Sequence, residues 1–342
     1  MTDNEIDQHS AASARGDEVV SDRLPTVVAT DGGWSVYSEG WAPPYGTSAD
    51  FEIDASKDVE QAEPGDGHVE RIAPSSAPLA FIDGTRRAEL LVWAEHAGSG
   101  TRVPGLAGAY AVGAVTVRPD GPASFCGIRV GRLAIWGGGH TGDIISQRTG
   151  YSWASTPITD VDPDMCLAHL QDRMRRAEGE LALDAADAGW NVVLDGPLNR
   201  IRALHGLVAG YVKSHHRRIL PEAAHAAVPL LAIGERTRMY TAGSDRYTCY
   251  TRVGSRGPGA SPWSGVARLE FPSAAGIVSV AERASVLATT LPGYAGVHHR
   301  DDRAPVNLTP VKNLERRLSQ TLGRASYATR VARDAIISGA NQ

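Results

Sequence analysis

Residues 190–199 read WNVVLDGPLN. Val192, Val193 and Leu194 form a branched apolar run of the kind that makes a buried strand. The run ends on Asp195, and Gly196 and Pro197 then turn the chain. A carboxylate at the edge of a core is costly unless something neutralises it. PLAFIDGTRR at 78–87 repeats the pattern more than a hundred residues earlier. LAFID reads as a buried strand closed by Gly84, with Asp83 at its end.

The chain between the two aspartates gives the fold class. ELLVWAEH (89–96), AYAVGAVTV (109–117) and SFCGIRVGRLAIW (124–136) read as further strands, separated by Gly and Pro. A helix follows, with Asp162 as N-cap and Pro163 at its first position. Leu167, Leu170, Met174, Ala177 and Leu181 make its apolar stripe, and Gly189 stops it. NVVLD comes next, then GLVAGYVK (206–213) as another strand, and the chain closes on a basic helix over about 309–338. This order predicts an α/β fold, a mixed sheet flanked by helices with C-terminal elaborations.

Successive helical residues turn by about 100°. Glu178 therefore falls about 40° from Met174, on the border of the apolar stripe, whereas Glu180 falls on a flank that sees water. Asp83, Glu178 and Asp195 form an ordered acidic set whose mutual repulsion divalent cations relieve. Mg²⁺ and Mn²⁺ take such oxygen ligands, and two ions about 4 Å apart clamp the oxygens of a phosphoryl displacement. The plain alternatives are that Asp-Gly is a common turn signal and that a lone helical Glu is usually solvated. The recurrence in the order Asp, Glu, Asp favours a site.

In 342 residues, 42% are hydrophobic and 21% charged, enough for a sizeable core. The net charge of −5 confines any nucleic-acid contact to local basic patches. Cys126, Cys166 and Cys249 form no CxxC pair, which supports neither a disulfide framework nor a zinc cluster and suits a reducing cytoplasm. No signal-like segment is evident, and AAHAAVPLLAIG (223–234) is too short to span a bilayer. Residues 1–24 read as a disordered acidic tail. Residues 25–77 read as a loop-rich segment packing on the core through Trp34, Trp41 and Tyr45, and 78–342 as the main domain.

The order of carboxylates is that of the ribonuclease H-like nucleases, and the sequence more narrowly resembles the NurA nuclease family. The matching pieces are FIDGT (81–85), RMRRAEGELA (173–182), VVLDGPL (192–198), VAGYVKSHH (208–216), ARLEFP (267–272) and DDRAPVNLTPVKNLERRL (301–318), within roughly 75–338. The resemblance implies a ribonuclease H-like core and a manganese-dependent DNA nuclease. It also implies a homodimer that works with a HerA-type hexameric ATPase at single-stranded or resected DNA ends. It carries over Asp83, Glu178 and Asp195 as ligands to two Mn²⁺ or Mg²⁺ ions. In VHHRDDRAP the family's C-terminal histidine position is altered. Asp301 sits best on the motif as last ligand, with Asp302, His298 and His299 as alternatives.

Lys213, at the end of a strand, reads equally as a phosphate-contacting cation and as a solvated lysine. His215 and His216 read as surface or phosphate-contacting residues, because adjacent strand residues point apart. Arg86, Arg87, Arg217 and Arg218 are candidates for a DNA track, although charge runs are usually solvated faces. Glu270 reads as a structural ion-pair partner, WGGGHTGD (136–143) as a plain loop without the GK[ST] of a phosphate loop, and Asn307 as a residue ordering the site. Glu315 is left between an ion pair and exposure. The rival functions are a nuclease acting on RNA or a hybrid, and a non-catalytic partner docking on an ATPase.

Overall fold

The computed structural model describes residues 59–73, 77–95, 100–119, 121–198, 206–215, 217–257, 259–297 and 303–339. It also describes the short strands Val28–Thr30, Trp34–Val36 and Glu52–Ile53. Strand β1 (Leu79–Glu95) pairs antiparallel with β2 (Arg102–Val117), and β2 antiparallel with β3 (Ser124–Trp136). β4 (Ser152–Pro157) lies parallel to β3. The chain then forms helix α1 (Pro163–Asp187) and returns as β5 (Asn191–Asp195), parallel to β1 on its other side. β6 (Val208–Val212) runs parallel to β5, and β7 (Arg246–Arg252) and β8 (Val266–Pro272) continue the sheet antiparallel, β8 against β6. With four two-residue strands at its margins, this is one twelve-stranded mixed sheet. Helices α2 (Ile277–Thr290), α3 (Thr309–Leu322) and α4 (Ala325–Gly339) follow.

Strand alternation decides what each helix covers. Ala80 and Ile82 of β1 and Val192 and Leu194 of β5 meet Met174, Ala177 and Leu181 of α1 on one face. Leu79, Phe81 and Val193 share the other face with Leu314 and Leu318 of α3 and Val280 of α2. Asp83 and Asp195 continue that second set, two residues beyond Phe81 and Val193. The parallel register sets Leu194 beside Ile82, so the two aspartates arrive side by side.

Local sequence explains α1 well. The Asp162 side chain accepts from the Asp164 amide, Pro163 occupies the first turn, and Gly189 follows the C-cap at a φ of +83°. Leu167 departs from the expected stripe. It is 37% exposed, and Cys166 takes the buried position, because the helix turns its first contact toward Leu106 and Ile135.

Three other expectations are corrected. Gly84 does not close a strand: pairing with β2 continues from Gly84↔Val112 to Glu95↔Arg102, so residues 89–95 are the outer half of β1. Asp83 therefore lies mid-strand, where burial gives way to partial exposure. A bulge at Glu89 turns that carboxylate inward, where it accepts from Trp153 Nε1 at 2.7 Å and Arg87 Nη2 at 2.6 Å. The C-terminal basic segment is two helices, broken at Gly323 with φ +77°. β4 was not foreseen, because SWASTP has neither an apolar run nor alternation.

Residues 59–73 lie along the β7 edge. His68–Val69 pairs with Arg236–Thr237, and Glu63 holds Arg236 at 2.6 Å. Trp41, Tyr45 and residues 1–24 lie outside the described residues. No helix among the described residues is long and apolar enough to cross a membrane.

Candidate metal centre

One oxygen from each of Asp83, Asp195 and Glu315 lies within 4.8 Å of the others. β1 and β5 bring the two aspartates from the sheet, and α3 brings Glu315 from above. Glu178 arrives from the opposite side. It is fully buried on α1, and its Oε1 lies where a side chain on Gly84 would stand: a Cβ there would come within 2.5 Å. The glycine after Asp83 is thus required for close approach rather than for a turn. Gly84→Ala is expected to destabilise the protein by about 1–3 kcal/mol, because Glu178 and Met174 must both move. Urea denaturation measures this, and an unchanged midpoint would refute the packing argument.

Cations surround the acids. Arg175 Nη1 donates to Glu178 Oε2 and to the Asp195 carbonyl, both at 2.9 Å. Lys213 Nζ donates to Asp195 Oδ2 at 2.7 Å and to Asn307 Oδ1 at 3.2 Å. Arg303 approaches Glu315 at 3.5 Å. Tyr211 donates its hydroxyl to the Val306 carbonyl at 2.7 Å, fixing the segment that carries Asn307 over β6. A cleft of about 210 Å³ opens here, lined by Arg175, Asp195, Lys213 and Arg303 among others.

The compensation is incomplete. Asp83 Oδ2, Glu178 Oε1 and Asp195 Oδ1 are buried and have no hydrogen-bond partner among the described residues. Burial, then the charge of Asp195, holds the Asp83 carboxyl well above the usual carboxylate range; Lys213 opposes this, while Glu178 and Glu315 add to it. Burial likewise pushes Glu178 from 4.5 up to about 7 against the pull of Arg175. The orphaned oxygens of Asp83 and Asp195, beside the Glu315 carboxylate, are hard ligands that fit a divalent cation.

The raised Glu178 value has a measurable consequence. The fold tolerates its neutral form, so stability present in acid is lost as pH rises from about 4.5 through about 7. This one group accounts for about 3 kcal/mol, and Asp83 shifts in the same direction. The melting temperature of metal-free protein is expected to fall relative to that of Glu178→Gln between pH 5 and 8. A gap between the two that stays constant across this window would contradict the assignment.

Of the residues singled out from sequence, Asp195 and Lys213 line one cleft, Asp83 meets Asp195 behind it, and Glu178 approaches Gly84 from the other side of the sheet. Asp301, Asp302, His298 and His299 lie outside the described residues, as does His216. His215 is not a surface residue: it is buried, with Nε2 on the Val266 carbonyl and its ring against Tyr250 and Trp263. Arg87 is committed to Glu89 and to the Leu322 and Gly323 carbonyls at the end of α3, and Arg86 to Gln171. Glu315 is the residue left undecided, although the angular argument applied to Glu178 finds it. It falls about 40° from Val311, on the border of the stripe formed by Val311, Leu314 and Leu318. No protein-family model matches the chain, and no curated protein matches it significantly.

Proposed function

We propose that this chain is a metal-dependent nuclease hydrolysing phosphodiester bonds in DNA, with a ribonuclease H-like core resembling the NurA family. The observation that carries the reading is the meeting of Asp83, Asp195 and Glu315 within 4.8 Å, where Asp83 Oδ2 and Asp195 Oδ1 are buried with no hydrogen-bond partner among the described residues. The order of carriers supports it. Asp83 lies on the first long strand, Glu178 on the first long helix, and Asp195 on the next strand, parallel to the first. The extra strand β4 before the helix departs from the simplest form of that order.

Asp83, Asp195 and Glu315 would hold Mn²⁺ or Mg²⁺, which supplies Lewis acidity toward a phosphoryl oxygen and acidifies water. The protein's own groups do the rest. Lys213, Arg175 and Arg303 line the cleft beside Asp195 and attract the phosphodiester. Asp195 and Asn307 fix the Lys213 ammonium, so its charge meets the phosphate without reorganising. In hydrolysis the water oxygen bonds to phosphorus as the P–O3′ bond breaks. The water yields one proton to solvent, and the leaving oxygen takes one up.

Action on single-stranded ends, assembly as a homodimer and work alongside a HerA-type ATPase follow from the family resemblance. The test is cleavage of matched single-stranded DNA and RNA with Mn²⁺, comparing wild type with Asp195→Asn. Mn²⁺-dependent DNA cleavage lost in the variant supports the reading. Cleavage of RNA alone, or equal rates from a folded variant, overturns it.

A further inference from the structure

Resting on that nuclease reading, we propose that the centre takes one divalent ion, and that the Lys213 ammonium stands in place of a second. A two-ion clamp needs a carboxylate that bridges both ions through its two oxygens. Asp195 is the central candidate, and one of its oxygens is taken: Oδ2 accepts from Lys213 Nζ at 2.7 Å, leaving Oδ1 orphaned. The other carboxylate that a second ion would require lies off the trio. Glu178 sits across the sheet from the trio, with Oε2 held by Arg175 at 2.9 Å and Oε1 against Gly84.

Charge agrees with one ion. Among the described residues, four carboxylates (Asp83, Glu178, Asp195, Glu315) face three cations (Arg175, Lys213, Arg303). One dication already reverses the balance to a single positive charge, which a phosphodiester neutralises. Two would leave three positive charges close together.

The residue type points the same way. The chain carries three lysines, Lys57, Lys213 and Lys312, in a Lys and Arg total of 34. A sequence that otherwise uses arginine places a lysine at the centre. Guanidinium is planar and spreads its charge over a fork; ammonium is a compact point charge, the side chain most like a bound cation. Asn307 Oδ1, on a residue 1% exposed, supplies its second acceptor. The ammonium is thus oriented by two buried acceptors, as a second ion would be by its ligands. In this arrangement Lys213 bears the charge that grows on the leaving oxygen as the P–O3′ bond breaks.

The experiment is Mn²⁺ binding to the full chain by equilibrium dialysis and electron paramagnetic resonance, on wild type, Lys213→Met and Lys213→Gln, with thermal melts to confirm folding. Expected for wild type are one ion per chain and an isolated mononuclear spectrum. A variant lacking the ammonium is expected to take up a second ion and give an exchange-coupled signal. Two ions in folded wild type would overturn the one-ion assignment and leave the nuclease reading intact. One ion in both wild type and folded variants would overturn the role given to Lys213. No Mn²⁺ bound at all would sink the nuclease reading itself, a result distinct from either. Wild-type stoichiometry decides the ion count even if neither variant folds.

Discussion

Asp83→Asn is expected to make the metal-free protein more stable and at the same time to abolish cleavage. The two effects share one cause. Asp83 is 5% exposed, with Oδ2 lacking a donor among the described residues and with Asp195, Glu178 and Glu315 all raising its proton affinity. Asparagine keeps the shape and removes the charge, so without metal the repulsion in the pocket falls. We expect a gain of about 1–3 kcal/mol at pH 8, where the native carboxyl is least tolerated. With Mn²⁺ the order reverses: wild type gains stability from the ion and the variant gains little. Cleavage is expected to drop by on the order of a thousandfold, about 4 kcal/mol of transition-state stabilisation. Thermal melts with and without Mn²⁺, beside a single-stranded DNA assay, read both effects. A variant that is less stable without metal, or that keeps the Mn²⁺-dependent shift, would show that Asp83 is an ordinary buried polar residue.

Much of this arrangement could be read from residue order, and the failures have identifiable causes. The α1 boundaries were legible because Asp162, Pro163 and Gly189 each signal through local backbone chemistry. The apolar runs at 79–82 and 192–194 were legible because a strand buried on both faces has little room for polar residues. Gly84 misled because glycine has two uses. It frees φ in turns and it admits close neighbours, and sequence alone does not tell a turn from the approach of Glu178. Which face each carboxylate occupies was also hidden. A single strand shows alternation but not orientation, and only the packing of α1 against Ile82 and of α3 against Phe81 fixes the faces. That is why the close trio takes Glu315 from α3 while Glu178 stands beneath it. His215 read as surface or phosphate-contacting because adjacent strand residues point apart, yet the aromatic wall of Tyr250 and Trp263 comes from residues far along the chain.

Glu270→Ala is expected to cost about 3–5 kcal/mol and to lower cleavage with it, although Glu270 faces no substrate. It lies on β8, 5% exposed, directly across from Gly210 of β6. Its Oε2 accepts from the Leu198 amide at 3.0 Å and from Arg246 Nη1 at 3.3 Å, and its Oε1 from Arg268 Nη2 at 2.8 Å. Gly210 lets the turn after Asp195 lie close: a Cβ there would stand 2.9 Å from the Gly196 carbonyl. Glu270 thus ties the turn carrying Asp195 to the sheet through one amide and neutralises two partly buried guanidiniums. Alanine removes this counter-charge from Arg268 and from Arg246, which keeps Asp245 at 3.6 Å, and frees the turn, so Asp195 loses its fixed position beside Asp83. Glutamine keeps an acceptor for the Leu198 amide and loses only the charge, so Glu270→Gln is expected to cost less, about 1–3 kcal/mol, and to hold Mn²⁺ more tightly than alanine does. Urea denaturation and Mn²⁺ titration of both variants measure this. If alanine and glutamine weaken Mn²⁺ binding equally, the effect is one of charge on the pocket, and the tether to Leu198 does not position the site.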